Sequence, residues 1–67
     1  MNDKRFIANI SLGNSAFEDP TELPRILRAM ADDIENNPEY DRFRNAKDIN
    51  GNVVGTYAIK PDSYFQN

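Results

Sequence analysis

Three features of this 67-residue sequence predict an α+β fold of order β-α-β-β, a three-stranded sheet with one helix packed on one face. Asn50-Gly51 stands between two runs that read as strands, the strongest short signal of a β-hairpin. Leu23, Ile26, Leu27, Met30, Ala31 and Ile34 recur at helical spacing and form an apolar stripe. Upstream of that stripe, residues 5–12 alternate in the manner of a half-buried strand.

In the first strand Phe6, Ala8, Ile10 and Leu12 point one way, and Arg5, Ile7, Asn9 and Ser11 the other. Gly13-Asn14-Ser15 is turn chemistry. Phe17 follows, just ahead of a helix start. Either it packs on the first helical turn as a staple, or it offers a stacking face at a pocket mouth. The helix is capped by Asp19 with Pro20 at its first position, or by Thr21 with Pro24 at its third. It runs to about Asn36 or Asn37, because Pro38 forbids continuation. Arg25, Arg28, Asp32 and Glu35 lie opposite the stripe, and Arg28 and Asp32 have the i,i+4 spacing of a helical ion pair.

Residues 36–41 read as a loop, and Arg42 to Ile49 as the first and most polar hairpin strand. A type I′ turn at Asn50-Gly51 needs positive φ at both residues, which Asn tolerates and Gly adopts freely. In the last strand Val53, Gly55, Tyr57 and Ile59 share one face, and Val54, Thr56, Ala58 and Lys60 the other. Gly55 inside that strand marks a bulge or the close approach of another backbone or a ligand. Pro61 ends it. Tyr64 and Phe65 in the tail either fray or dock on a neighbouring subunit.

The length gives one domain, residues 1–67, at a size where a single core is marginal. Disulfide, metal or oligomerisation reinforces such domains, and the chain has neither Cys nor His. Those absences exclude thiolate and imidazole metal sites and Ser-His or Cys-His catalysis. The sequence therefore predicts no enzyme, no cofactor and no metal. One helix clads one sheet face only, while apolar residues stand on both, so a homo-oligomer is expected, a dimer or tetramer. Eleven acidic and eight basic residues give a net charge of −3, which disfavours long nucleic acid held by counterion release. No apolar run spans a membrane, and no hydrophobic leader follows Met1, so a cytoplasmic location is expected.

Two further patterns are set aside. Asp32, Asp33 and Glu35 are carboxylates able to hold Mg²⁺, but helical neighbours 32 and 33 diverge by about 100°, as in surface charge. Asp48-x-Asn50-x-Asn52 echoes half of a calcium loop, yet lacks its sixth-position Gly and terminal Glu. A non-catalytic set remains. Arg25, Arg28, Arg44 and Lys47 are cations suited to phosphate oxygens. Phe17, Tyr40 and Tyr57 are flat faces for a nucleobase. Asn14 and Asn50 can read base edges. A local basic-aromatic pocket in an acidic chain suits a small phosphorylated ligand better than a polymer.

Asn14-Ser15-Ala16-Phe17, the helix segment Arg25-Ile26-Leu27-Arg28-Ala29-Met30-Ala31-Asp32, and Asp48-Ile49-Asn50-Gly51-Asn52-Val53-Val54-Gly55 occur here in that order. Together they resemble small bacteriophage proteins with an N-x-A-F motif, an R-I-L-R helix and a D-x-N-G-N-x-V-G hairpin. The resemblance runs from the first strand to Ile59. Compact phage proteins of this kind are similar to immune-evasion sponges, which sequester nucleotide signals of bacterial defence without cleaving them. Those signals include the cyclic dinucleotides of CBASS, such as cGAMP, and the cyclic ADP-ribose of Thoeris. The resemblance implies an anti-CBASS or anti-Thoeris oligomer in the host cytoplasm, with ligand pockets at subunit boundaries and Phe17, Arg25 and Arg28 among the ligand contacts. The rival class is an acidic phage protein that inhibits a host protein by direct contact.

Overall fold

The computed structural model describes residues 3–38 and 42–66. The loop expected at residues 36–41, and Tyr40 with it, lies largely outside them. The strands are β1 (Lys4–Ile10), β2 (Arg44–Lys47) and β3 (Val53–Pro61); the helix is α1 (Glu22–Asn36). Short 3-10 turns follow β1, at Ser15–Glu18, and β3, at Asp62–Phe65. The sheet is antiparallel throughout, in the order β1-β3-β2, so the last strand is central and β2 lies at an edge. The α+β, β-α-β-β architecture is the expected one.

Two strands are shorter than the sequence predicts. Leu12 lies beyond the end of β1, just past Ser11, whose N–H donates to the Val54 carbonyl at 2.8 Å. Only Arg44–Lys47 of the expected 42–49 strand pair with β3, because Asp48 already belongs to the turn. The turn also differs in type. Gly51 N–H donates to the Asp48 carbonyl (3.0 Å), and Asp48 N–H to the Asn52 carbonyl (2.9 Å). The loop is therefore the three residues 49–51, closed by a bulge at Gly51 with φ +84°, and not a two-residue type I′ turn. The physical cause is the Asp48 carboxylate, which receives the N–H groups of Asn50 (2.9 Å) and Asn52 (2.8 Å). An Asx-type acceptor at that position turns the chain one residue early.

Gly55 fulfils both expectations placed on it. The β2–β3 register slips between Ala46 and Lys47, so that one residue of β3, Val54, is extra. A methyl group on Gly55 would sit 2.0 Å from the Asn9 carbonyl oxygen of β1. The bulge turns Val54 towards the core, against its place in a strict alternation.

Thr21 is the N-cap residue of α1, with Pro24 in the first turn, where its missing N–H costs little. Asp19 serves one step earlier, accepting from the N–H and hydroxyl of Thr21. The helix ends at Asn36, before Pro38. Its stripe divides. Ile26 and Met30 are buried with Ala46 and Tyr57, and Phe17, Ile10, Ile34 and Val54 pack against them. Leu27 and Ala31, expected in the same stripe, are exposed, because α1 lies towards the β2 edge and leaves its β1 flank uncovered. Arg28 makes no ion pair with Asp32 or with any other described residue.

The face away from α1 is not bare. Arg5, Ile7 and Asn9 of β1 stand there opposite Lys60, Ala58 and Thr56 of β3. The chain end folds back onto it: Tyr64 packs on Phe43 with ring centroids 6.0 Å apart, and Phe65 meets Tyr64 edge-on at 5.2 Å. The tail aromatics thus dock on their own sheet.

Candidate functional site

The sequence-predicted cations and rings fall into three places. The first is a groove of about 350 Å³ between α1 and the β2 edge, lined by Arg25, Ala29 and Met30 on one side and Asn45, Lys47 and Ile49 on the other. Arg25 is held there by the buried Glu22 one helical turn earlier. Its Nε and Nη2 fork onto the two carboxylate oxygens at 2.9 and 3.0 Å, and Nη2 also reaches the Lys47 carbonyl. Nη1 has no partner among the described residues, and the side chain is 42% exposed, so a planar donor is fixed in direction but still open to a ligand. The Glu22–Arg25 ion pair is neutral overall, and Asp48, which also lines the groove, offsets Lys47 in formal charge.

Glu22 does more than orient Arg25. Its Oε2 accepts from the Ile49 N–H at 2.7 Å, which ties the first turn of α1 to the hairpin loop. Arg25 first, and then that N–H, hold the Glu22 carboxyl below its usual range against the effect of burial. Asp48 is the second buried carboxylate. Burial pushes it up, but the hydrogen bonds from Asn52, Asn50 and Asn14 outweigh that and hold it low. Asn14 therefore has a structural task. Its Oδ1 caps the 3-10 turn at the Ala16 N–H (2.9 Å), and its Nδ2 donates to Asp48 Oδ2 (2.6 Å). The side chain expected to read a base edge is a strut between the β1–α1 connection and the hairpin.

The second place is the far end of α1. Arg44 Nη1 donates to Asp33 Oδ2 at 2.9 Å, and its Nη2 to the Asn37 carbonyl. Tyr57 donates its hydroxyl to the same Asp33 oxygen at 2.6 Å. Burial first, then that hydrogen bond, push the Tyr57 phenol up to about 12. Tyr57 is 5% exposed and its ring is core, so it offers no stacking surface. Phe17 likewise packs against the core, four residues before the Thr21 N-cap and so outside the N′ position of a helix staple. Arg44 and Tyr57 are brought together on Asp33, and the buried Tyr57 ring also forms part of the floor of the Arg25–Lys47 groove. The third place is solvent, where Arg28 points from the outer side of α1.

Of the seven expected site residues, then, Arg25 and Lys47 share a groove whose buried floor includes Tyr57. Asn14, Phe17, Arg44 and Tyr57 hold the fold, and Arg28 stands apart.

From the sequence Phe43 carries no distinguishing signal of its own, and Tyr64 and Phe65 are expected to fray or to dock on a neighbouring subunit. The hairpin register was the available signal, since the β2–β3 pairing that sets Arg44 opposite Tyr57 sets Phe43 beside Ala58 and Lys60. Among the described residues no cluster of acidic side chains is arranged to hold a metal ion, and no helix is long and apolar enough to cross a membrane. Compared with protein-family models, curated proteins and solved structures, the chain matches none.

Proposed function

We propose that the protein acts by occupancy: a phage anti-defence sponge that binds a cyclic nucleotide signal and withholds it without cleaving it. The reading takes its ligand class from the sequence resemblance. One structural observation supports it, the groove in which an oriented, half-exposed Arg25 and Lys47 stand over Ala29 and Met30. Its volume of about 350 Å³ is at the low end for a small-molecule site, so a dinucleotide would need a second subunit to close over it. A sponge must compete for scarce signal, and a nanomolar Kd corresponds to about −12 kcal/mol. Isothermal titration against a panel of cyclic dinucleotides and cyclic ADP-ribose isomers tests this. Saturable heat is expected with one of them, weakened at least about tenfold by Lys47→Glu, where an attraction becomes a repulsion. No heat from any member of the panel overturns the proposal.

A second reading has its own observation. Phe6, Leu27, Met30, Ala31 and Ile34 line an apolar groove of about 180 Å³ on the other flank of α1, with Phe6 and Leu27 about half exposed. Such a strip suits direct contact with a host protein. A silent nucleotide panel, together with a stable complex captured through Leu27, would favour it.

A further inference from the structure

The face of the sheet opposite α1 carries a second constellation, and the proposed groove does not include it. Phe43, Tyr64 and Phe65 lie side by side there, 40%, 52% and 37% exposed. Phe43 and Tyr64 are 6.0 Å apart, and Tyr64 and Phe65 are 5.2 Å apart. Cations are interleaved with the rings. The Lys60 ammonium lies 5.0 Å from the centroids of both Phe43 and Tyr64, and the Arg5 guanidinium 5.6 Å from Phe65. Arg5 and Lys60 are also direct cross-strand partners. Like charges placed opposite one another weaken a sheet unless something anionic lies across them. Asp62 supplies part of that compensation to Arg5, at 2.5 Å.

Glu18, Asp19, Glu22, Asp32, Asp33, Glu35 and Asp48 belong to the helical segment and the hairpin loop, where Arg25 and Arg28 also stand, and Asp62 lies at the open face on Arg5. The open face itself offers Lys60, Arg5 with its partner Asp62, Asn9, Thr56 and the three rings. A net charge of −3 thus hides a small cationic, aromatic face.

We propose that this face binds single-stranded nucleic acid, with Phe43, Tyr64 and Phe65 stacking unpaired bases and Lys60 and Arg5 meeting the intervening phosphates. Exposed rings interleaved with cations on an open sheet are a sequence-tolerant stacking platform, and Arg adds its own stacking on bases. Duplex is excluded by the same geometry, because paired bases hide the faces these rings need. Three adjacent rings offer more surface than one base covers, which favours a run of nucleotides over a mononucleotide. With Arg5 shared with Asp62, about one to two phosphates are neutralised, and log K should fall with log salt at a slope of only about −0.7 to −1.4, far shallower than for a basic nucleic-acid protein.

Fluorescence anisotropy of labelled oligothymidylate and oligouridylate, titrated with the intact protein across a salt series, tests this. Saturable binding with that shallow slope is expected, together with little binding to a hairpin duplex. Tyr64→Ala and Phe43→Ala should each weaken binding about tenfold or more, and Lys60→Glu likewise. Tyr64 lies beyond β3, so a folded Tyr64→Ala protein, checked by circular dichroism, keeps the test valid if Phe43→Ala fails to fold. Lys47→Glu, which disables the proposed nucleotide groove, should leave oligonucleotide binding unchanged. Absence of binding, equal binding to duplex, or full binding by Tyr64→Ala overturns the proposal.

Discussion

Asp33 shows why single residues resisted a functional reading. Its Oδ2 receives both the Tyr57 hydroxyl and Arg44 Nη1, which places a ring from the central strand and a cation from the edge strand on one helical carboxylate. From the sequence, Arg44 is a cation and Tyr57 an aromatic, and both suit a nucleotide. Their commitment to Asp33 depends on which face of β3 meets α1, and alternation alone leaves that choice open. The i,i+3 spacing of Glu22 and Arg25 was as open to view as the i,i+4 spacing of Arg28 and Asp32, yet the pair expected was the second and the pair formed is the first. The Tyr57 hydrogen bond has a consequence that titration can read. The folded phenol titrates at about 12 against an ordinary 10.0, so folding favours the protonated form. That contribution is complete below pH 10 and is lost as pH rises from there through 12. Tyr57→Phe removes a hydrogen bond to a charged group and should cost about 1–2 kcal/mol at neutral pH. It should also shrink the difference in urea midpoint between neutral pH and pH 10–12. An unchanged alkaline slope in the variant would show that Tyr57 does not carry it.

Among the elements, the helix and the central strand were legible because their signals are local. The periodicity of Ile26, Met30 and Ile34, the stop at Pro38, and the β-branched run after Asn52 act within a few residues of where they are read. The hairpin was found in the right place and given the wrong turn. Asn-Gly is a backbone preference worth a fraction of the several hydrogen bonds that a buried Asp48 collects, and the stronger local term decided the register. What followed, a bulge that returns Val54 to the core, could not be deduced from a turn of another length. Gly55 is the residue on which this arrangement turns. With the Asn9 carbonyl oxygen 2.0 Å from where a Cβ would lie, and with backbone rather than a flexible side chain in the way, the neighbour cannot move aside. Gly55→Ala should therefore separate β1 from β3 and leave the chain largely unfolded, read as loss of the far-UV dichroism and of any cooperative melt. A cooperative fold retained by that variant would mean β1 does not pair with β3 in this register.

At the scale of the whole molecule, one sheet and one helix make a thin body. The radius of gyration is 13.2 Å, against about 10.9 Å for a compact chain of this length. Among the described residues five apolar side chains are buried: Ile26, Met30, Ala46, Tyr57 and Ala58. So small a core sits near the limit of what holds a domain, and burial between copies is the means left to a chain without Cys. The sequence pointed to the open sheet face as the place of contact, but the returning Tyr64 and Phe65 occupy part of it. The wetter apolar strip is the β1 flank of α1, where Phe6 is 52% and Leu27 48% exposed. Two copies meeting there by a twofold axis would set Leu27 and Ala31 against the same residues of the partner, an isologous and self-closing contact. Sedimentation velocity should then find a dimer at micromolar concentration. Leu27→Glu, an exposed position whose substitution leaves Ile26 and Met30 in place, should shift the protein to monomer and lower its melting temperature. A monomeric wild type would remove this contact, and with it any second subunit to close over the groove on the opposite, β2 flank of α1, while leaving the single-strand platform of Phe43 and Tyr64 intact on one chain.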